Sequence, residues 1–534
     1  MELLTNNIQT RDTLFQSDLQ ITLEDDFNVA DTKPDMEQLI KTKGNVEMTS
    51  IVAEEGKVLL KGVLSFFLLY LTNEDIRPIH SIKGQIPFEE TLNAADAVSG
   101  KETDCHIELE DCQANMINSR KVSIRAIVSF HCCQENIHSY PIGTDIVSSN
   151  ASRADMENFP SIDGLYRQFN NFETTQPVMQ KKDILRIKDE CILPKGKPNV
   201  DTILYHKLVP QNLQTRIIDD GIRILGDVRL FVLYIPDTDE RKLEYLETEL
   251  PFDSIISCQN CSDDLILDID FLDLNSSLEL KPDEDNENRI FDYECNLRLS
   301  LHFYRHTMIS YLKDAYSTAC SLSLQKQEIS LNCLHMKNDA VVRVSDRLHI
   351  TQENEKIDQI CTSIGNVQID EQEITNNGIA LEGVINLEIL YLTDNDSHPL
   401  ATLTGSIPFT HLIEIPDIHP DDNYELQTGV NQISAVMLDH EEVDVKCVIQ
   451  LSVLVFTHST QNVIQQISEA PKDLNMLQEM PGLVGYIVDK EESLWDIAKK
   501  YNTTIDHIMK LNGLENDKVN AGDKLLLLKE VDGF

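Results

Sequence analysis

Positive charge is what this chain has least of. Forty-five Lys and Arg stand against 90 Asp and Glu, a formal net charge of −45 over 534 residues. Such a surface repels phosphate backbones and anionic headgroups, so no nucleic acid partner and no simple electrostatic membrane binding is expected. Long apolar runs are missing as well. The richest, Val63–Leu71, is interrupted by Ser65 and falls far short of the roughly 20 residues a spanning helix needs, so no direct membrane insertion is predicted. The first residues, Met1 to Asn7, have neither a basic start nor an apolar core. That pattern is not a secretory signal and predicts a cytosolic protein.

Catalytic signatures are absent too. There is no P-loop, HExxH, GxSxG or GxGxxG, and paired acids carry no information in a chain this acidic. A non-enzymatic protein is expected. The 12 cysteines are irregularly spaced and read as buried hydrophobes or idle thiols of a reducing compartment. The one CxxC, Cys258 and Cys261, lacks the second pair that a structural zinc site usually needs, and His131, Cys132 and Cys133 are remote in sequence. No metal and no cofactor is predicted.

What the chain does have is a threefold internal repeat. Gly62 and Tyr70, Gly226 and Tyr234, and Gly383 and Tyr391 are each eight residues apart. Seventeen residues beyond each Tyr comes a proline followed by phenylalanine: Pro87 and Phe88, Pro251 and Phe252, Pro408 and Phe409. Two constant spacings in three copies mark a repeated structural unit. Alternate residues of each segment are apolar: Val58, Leu60, Leu64, Phe66, Leu68 in the first, Ile222, Ile224, Val228, Leu230, Val232 in the second, Ile379, Leu381, Ile385, Leu387, Ile389 in the third. A period of two is that of a strand with one buried face. Glycine inside it signals a bulge, a bend or close backbone approach. The opposite face varies, with Phe67 and Leu69 in one copy and Arg223, Asp227 and Arg229 in another, as expected if part of it covers neighbouring structure. The proline suits a strand end or edge, where no ladder donor is needed.

Upstream of each strand, Lys33–Ile40, Lys197–Leu204 and 355–360 read as a turn and short helical patch. Downstream, Lys121–Phe130, Cys295–Phe303 and Val443–Val453 alternate again. The fold class is therefore mainly β, with three repeated antiparallel β domains at 15–147, 178–325 and 335–457. Polar stretches at 148–177 and 458–483 read as linkers, and Pro282–Asn288 as a solvated hairpin loop.

Residues 484–530 differ in pattern. Tyr486–Val488 is a short strand. Ser493 can cap a helix whose stripe is Leu494, Ile497, Ala498 and Tyr501, and Thr504 a second helix carrying Ile505, Ile508, Met509 and Leu511. Asn512 and Gly513 supply a left-handed stop, and Leu525–Leu528 a closing strand. This is a small α+β, βααβ module. Trp495, the one tryptophan, lies about 100° off the buried stripe. Its ring is therefore expected either to reach solvent as an interface anchor or to pack the helix start on the strands.

The module resembles the LysM family at Tyr486, Val488, Ser493, Leu494, Trp495, Ile497, Ala498, Tyr501, Asn512, Leu514, Gly522 and Leu525. The resemblance implies ligand contact by two loops, here Glu491, Glu492, Ser493, Leu494 and Trp495 in the first and Asn512, Gly513 and Leu514 in the second. LysM modules typically hold N-acetylglucosamine chains. The family's Gly-Asp-Thr is replaced here by Glu491, Glu492 and Ser493, which argues against a glycan ligand, as does a cytosolic setting. Three such β repeats followed by one LysM resemble the SipL-like family of clostridial spore-coat morphogenetic proteins, whose repeated domain is called SPOCS. That resemblance implies a scaffold or adaptor in the mother-cell cytosol that helps the coat surround the forespore. It further implies a LysM that engages a SpoIVA-like coat ATPase, leaving the β repeats for other coat proteins or self-association. The alternative reading is a peptidoglycan-binding protein of wall or cortex.

Overall fold

The structure, a computed structural model, describes residues 1–73, 78–147, 164–238, 242–350, 356–395, 397–472 and 481–528. Each repeat is one six-strand unit. The first comprises β1 (Glu2–Asn28), β2 (Gln38–Glu54), β3 (Lys57–Leu71), β4 (Ile79–Asn93), β5 (Asp104–Asn118) and β6 (Lys121–Val147). The second comprises β7 (Leu165–Ile192), β8 (Val200–Ile218), β9 (Gly221–Pro236), β10 (Glu244–Ser257), β11 (Ile266–Pro282) and β12 (Asn288–Ser317). The third comprises β13 (Ser321–His349), β14 (Ile357–Thr375), β15 (Gly378–Thr393), β16 (Leu400–Glu414), β17 (Asn423–Met437) and β18 (Glu442–Ala470). Every unit makes two antiparallel three-stranded sheets, ordered β2-β3-β4 and β1-β6-β5 in the first and equivalently in the others.

The two central strands face one another. Val58, Leu60, Leu64, Phe66, Leu68 and Tyr70 of β3 pack against Val122, Ile124, Ala126, Val128, Phe130 and Cys132 of β6. Most of these are fully buried. At about 1.5–3 kcal/mol per buried large apolar side chain, the period-two pattern is what drives the sandwich together.

One central strand and one outer strand of each unit then outrun the sandwich. β5 pairs with β6 only as far as Cys133, whereas β1 follows β6 to Val147. Beyond the sandwich each repeat therefore continues as a two-stranded ribbon. A register shift marks the exit in all three, at Thr13/Phe15, Phe303/Tyr304 and Leu334/Met336. A bulge bends and twists a strand pair, which re-aims the ribbon. A lone two-stranded ribbon is marginal in water, and these three bury one another. Ile8, Ile142, Phe172, Ile309, Tyr311, Ile329, Leu331 and Val463 form one shared cluster. Ile146, Leu312, Ala315 and Ile464 form another.

The sandwiches close a ring. β4 packs on β8, β10 on β14, and β16 on β2, the same strand pair at each joint. Repetition of one heterologous contact that returns to its start is cyclic closure within a single chain. The faces of the repeat strands opposite the signature face meet at its centre, where Leu69, Leu71, Phe231, Leu233, Ile235 and Leu390 share a buried cluster.

Several expectations are corrected here. Residues 165–177, read as linker, belong to β7, and 458–470 to β18; 148–163 and 473–480 lie outside the described residues. The segments read polar because a ribbon buries one narrow face, and only against other ribbons. The strand units accordingly occupy 2–147, 165–317 and 321–470. Among the described residues no helical patch precedes the repeat strands: Lys33 and Lys197 close turns by donating to the Ala30 and Pro194 carbonyls, and irregular chain then leads into β2 and β8, while Glu355 is not among the described residues. Prolines at 34 and 198 disfavour helix at the preceding lysines. The segment 283–287 is a hairpin turn between β11 and β12.

Candidate functional site

The C-terminal module is β19 (Leu483–Ile487), α1 (Leu494–Tyr501), α2 (Ile505–Asn512) and β20 (Lys524–Leu528). Ser493 caps α1 by accepting from the Asp496 N–H, and the Asp496 carboxylate accepts from the Ser493 N–H at 3.1 Å. This reciprocal box satisfies two amides that a helix start leaves free. Thr504 caps α2 through the His507 N–H at 3.0 Å. Gly513, at φ 66°, ends α2, and the Leu514 N–H returns to the Met509 carbonyl at 3.0 Å. The core is Val488, Leu494, Ile497, Ala498, Ile508, Leu525 and Leu527.

The residues assigned to ligand contact divide into two groups. Leu494 is 1 % exposed and belongs to the core. Asn512 is occupied: its amide donates to the Ile508 and Leu526 carbonyls, both at 2.8 Å, and its oxygen accepts from the Leu526 N–H at 2.6 Å. It ties α2 to β20 as a peptide group would. Glu492 accepts from the Tyr486 hydroxyl at 2.6 Å and is half-buried. Leu514 packs partly into the core. Glu491, Ser493 and Gly513 are exposed, as are Glu515 and Asn516 beside them. Glu491 stands at φ 70°, a left-handed conformation that costs a non-glycine residue roughly 1–2 kcal/mol. The glutamate therefore occupies a glycine-type backbone position and projects a carboxylate where the LysM pattern has none.

Trp495 turns neither to bulk solvent nor only to its own strands. Its indole N–H donates to Asp314 at 2.9 Å, and its ring meets the edge of Tyr316 at 4.9 Å between centroids. Both partners lie in the last turn of the β12 ribbon. Lys499 adds an ion pair to Asp314 at 2.8 Å, the Tyr316 hydroxyl donates to the Thr503 carbonyl at 3.0 Å, and Lys472 reaches both Thr318 and Asn502. Burial opposes ionisation of Asp314. Hydrogen bonds from Lys499 and Trp495 and the charges of Lys499 and Lys326 prevail, holding the carboxyl below its ordinary range. The outward face of α1 is thus spent on docking the module to the second repeat. Nothing in a one-dimensional pattern pairs Asp314 with Trp495, 181 residues away.

The repeat signature residues come together in each unit. Gly62 lies opposite Phe88, Gly226 opposite Phe252 and Gly383 opposite Phe409. The phenylalanine ring lies over the glycine: a Cβ on Gly62 would sit 2.5 Å from the Phe88 ring, and one on Gly383 2.3 Å from the Gln368 carbonyl. The partner strands shift register at this level, at Met48/Ser50, Gln211/Gln214 and Ile369/Glu371. Pro87, Pro251 and Pro408 are exposed on the outer strands β4, β10 and β16, where a missing N–H costs no ladder bond. Tyr70, Tyr234 and Tyr391 are buried, and the first two donate to the Pro34 and Pro198 carbonyls at 3.3 and 3.2 Å. These twelve residues build the fold.

Other chemistry-bearing groups are dispersed. Cys258 and Cys261 lie side by side in the turn after β10, with their sulfurs in contact. Burial raises the thiols of Cys112 and Cys447 to about 11, which keeps them unreactive. Glu173, His306 and Cys333 lie near one another on the ribbons, with the two former exposed. Arg11 joins all three repeats, binding the Tyr304 hydroxyl, Glu135, and Glu425 at 3.1 Å. No helix among the described residues is long and apolar enough to cross a membrane.

A family model for the SipL SPOCS domain matches three times, at residues 35–117, 199–278 and 356–438, and a LysM domain model matches residues 486–527. Each SPOCS match starts just after the first long strand of its unit, so β1, β7 and β13 lie outside it. Both domains are non-catalytic binding domains, and the chain is a string of three such modules and a fourth. In content and order it belongs with the SipL-like proteins. No curated protein and no solved structure matches the chain.

Proposed function

We propose that this protein is an adaptor of spore-coat assembly, in which the ring of β repeats is a rigid body and the LysM module presents one binding face. The six-strand units, at 2–147, 165–317 and 321–470, are its domains in this reading. The observation that carries it is the division of the module's surface. The α1 face is taken by Asp314 and Tyr316, whereas Glu491, Gly513, Glu515 and Asn516 stand clear. An exposed, acidic pair of loops suits a partner with basic side chains, and the family resemblance supplies the candidate, a SpoIVA-like coat ATPase in the mother-cell cytosol. Holding partners on one rigid frame raises their local concentration at the forespore surface. Other coat proteins, or further copies of this chain, would meet the repeats.

Glycan binding is the second reading, favoured by the LysM match itself. Two carboxylates at the loop where the family has glycine and aspartate speak against it. Affinity capture from sporulating-cell lysate on the full chain, with N-acetylglucosamine oligomers as competitor, separates the two. The adaptor reading predicts a SpoIVA-like protein that the sugar leaves in place. Recovery of wall fragments alone, released by the oligomers, would overturn it.

A further inference from the structure

In a molecule with a net charge of −45, several cations nonetheless gather around one cavity. A cavity of about 1080 Å³ opens where the three sandwiches meet, lined by β2, β8 and β14, one strand from each repeat, and by β5, β11 and β17. Lys43 on β2 and Lys207 on β8 stand in its wall, with Lys83 of β4 at the rim. The first two hold equivalent repeat positions, each 19 residues before the signature glycine, Gly62 or Gly226. The third equivalent is Ile364, which also lines the cavity.

Neighbouring cations have partners. Lys41 pairs with Glu388, and Arg229 with Glu247 at 2.9 Å. Lys43, Lys83 and Lys207 have no carboxylate within ion-pair distance among the described residues. Glu47 is the one acid in the lining, and Asn45 approaches it at 3.4 Å. Burial, reinforced by the charges of Lys43, Lys41 and Arg229, pushes the Lys207 ammonium down to about 7, and burial with Lys41 lowers Lys43 as well. Unpaired, half-buried ammonium groups such as those of Lys43 and Lys207 cost stability. An anion arriving from outside would remove that cost. Part of the wall is aromatic, with the Tyr205 ring 5.5 Å from Phe67 and 6.1 Å from Phe231, and the remainder is polar and aliphatic. Lys43 and Lys83 each lie 5.9 Å from one of these rings.

We infer that this cavity is a binding site for a small organic anion, its acid groups held by Lys43, Lys83 and Lys207 and its apolar body by Phe67, Tyr205 and Phe231. The volume is close to the upper end of the roughly 300–1,000 Å³ usual for small-molecule sites. The ligand-holding residues come from the first two repeats and the third closes the wall with Thr362–Gly365 and Val430–Ile433, so only the assembled ring encloses the site. It does not depend on how the LysM module is used.

The test is a fluorescence titration of the full-length protein at pH 7 with 8-anilinonaphthalene-1-sulfonate, an aromatic sulfonate. Phenyl phosphate and hexaglutamate serve as competitors. One site per chain is expected, displaced by phenyl phosphate. Lys43→Met, Lys83→Met and Lys207→Met, made singly, should each weaken the dye roughly tenfold or more, the size of a lost charge-assisted contact. Thermal midpoints no lower than wild type's show that the variants fold, and any one that does not leaves two to decide. Unchanged dye affinity in the folded variants overturns the inference. So does displacement by hexaglutamate where phenyl phosphate fails, which would give the cavity to an acidic peptide.

Discussion

A glycine that faces a phenylalanine across a strand pair recurs at the same level of every repeat, and the ring takes the space that a side chain on the glycine would fill. Gly383 is the tightest of the three, with the Gln368 carbonyl 2.3 Å from a notional Cβ. Gly383→Ala is therefore expected to cost about 1–3 kcal/mol by overpacking. Gly429→Ala, where nothing lies within 4 Å, should cost little. Urea unfolding of the two variants measures the contrast. Glu491 is the opposite case, a side chain where the backbone asks for none. Glu491→Gly should stabilise the LysM module by about 1 kcal/mol, through relief of its left-handed conformation, read as a shift in the module's own unfolding midpoint. Both positions were visible in the sequence, one as a constant spacing and the other as a departure from a family pattern. Lys43 and Lys207 were equally visible as equivalent positions of two repeats, but a lysine on a strand usually reaches solvent. Only closure of the ring turns their side chains toward one another.

At the scale of elements, the central strands β3, β9 and β15 were legible because a buried sheet face writes itself into sequence with period two. The two short helices were legible from Ser493, Thr504 and Gly513, whose capping chemistry is local. The ribbons were not. Their strands run through stretches such as 165–177 and 458–470, rich in Asn, Gln, Thr and Ser, and bury Ile8, Phe172 or Val463 only against other repeats. A contact that depends on a partner hundreds of residues away leaves no periodic trace stronger than that of a loop. The docking of α1 on the β12 ribbon is of the same non-local kind. Because Trp495 is the only tryptophan, its emission reports this contact directly. Asp314→Ala should shift the emission to longer wavelength at neutral pH as the indole loses its acceptor and gains water, without loss of sheet signal in circular dichroism. An unshifted spectrum would mean that Tyr316 alone holds the ring.

For the whole molecule, ring closure brings like charges together and so links stability to pH. The folded Lys207 loses its proton near 7, below the ordinary lysine value of 10.5. Between those values the unfolded chain binds more protons, so this lysine's contribution makes the native state more stable as pH rises through that window. The groups facing it are Lys41 and Lys43 on β2, Arg229 on β9 and Glu388 on β15. Lys207→Met should accordingly be more stable than wild type at pH 7, and the gap should narrow toward pH 10. Parallel thermal melts across that range check it. The repeat count and the order of modules were readable from one dimension; the ring closure was foreshadowed only by apolar residues on the opposite face, Phe67, Leu69, Phe231 and Leu233.

The adaptor reading places the partner on the loop face of the LysM module and not on its α1 face, and one binding measurement separates the two. Purified SpoIVA-like ATPase is titrated against the full-length protein, against Glu491→Lys combined with Glu515→Lys, and against Asp314→Ala. Reversal of the two loop charges should weaken binding tenfold or more, and release of α1 from the ribbon should leave it unchanged. Full affinity in the loop variant, or loss confined to Asp314→Ala, would contradict the assignment of the exposed loops as the binding face.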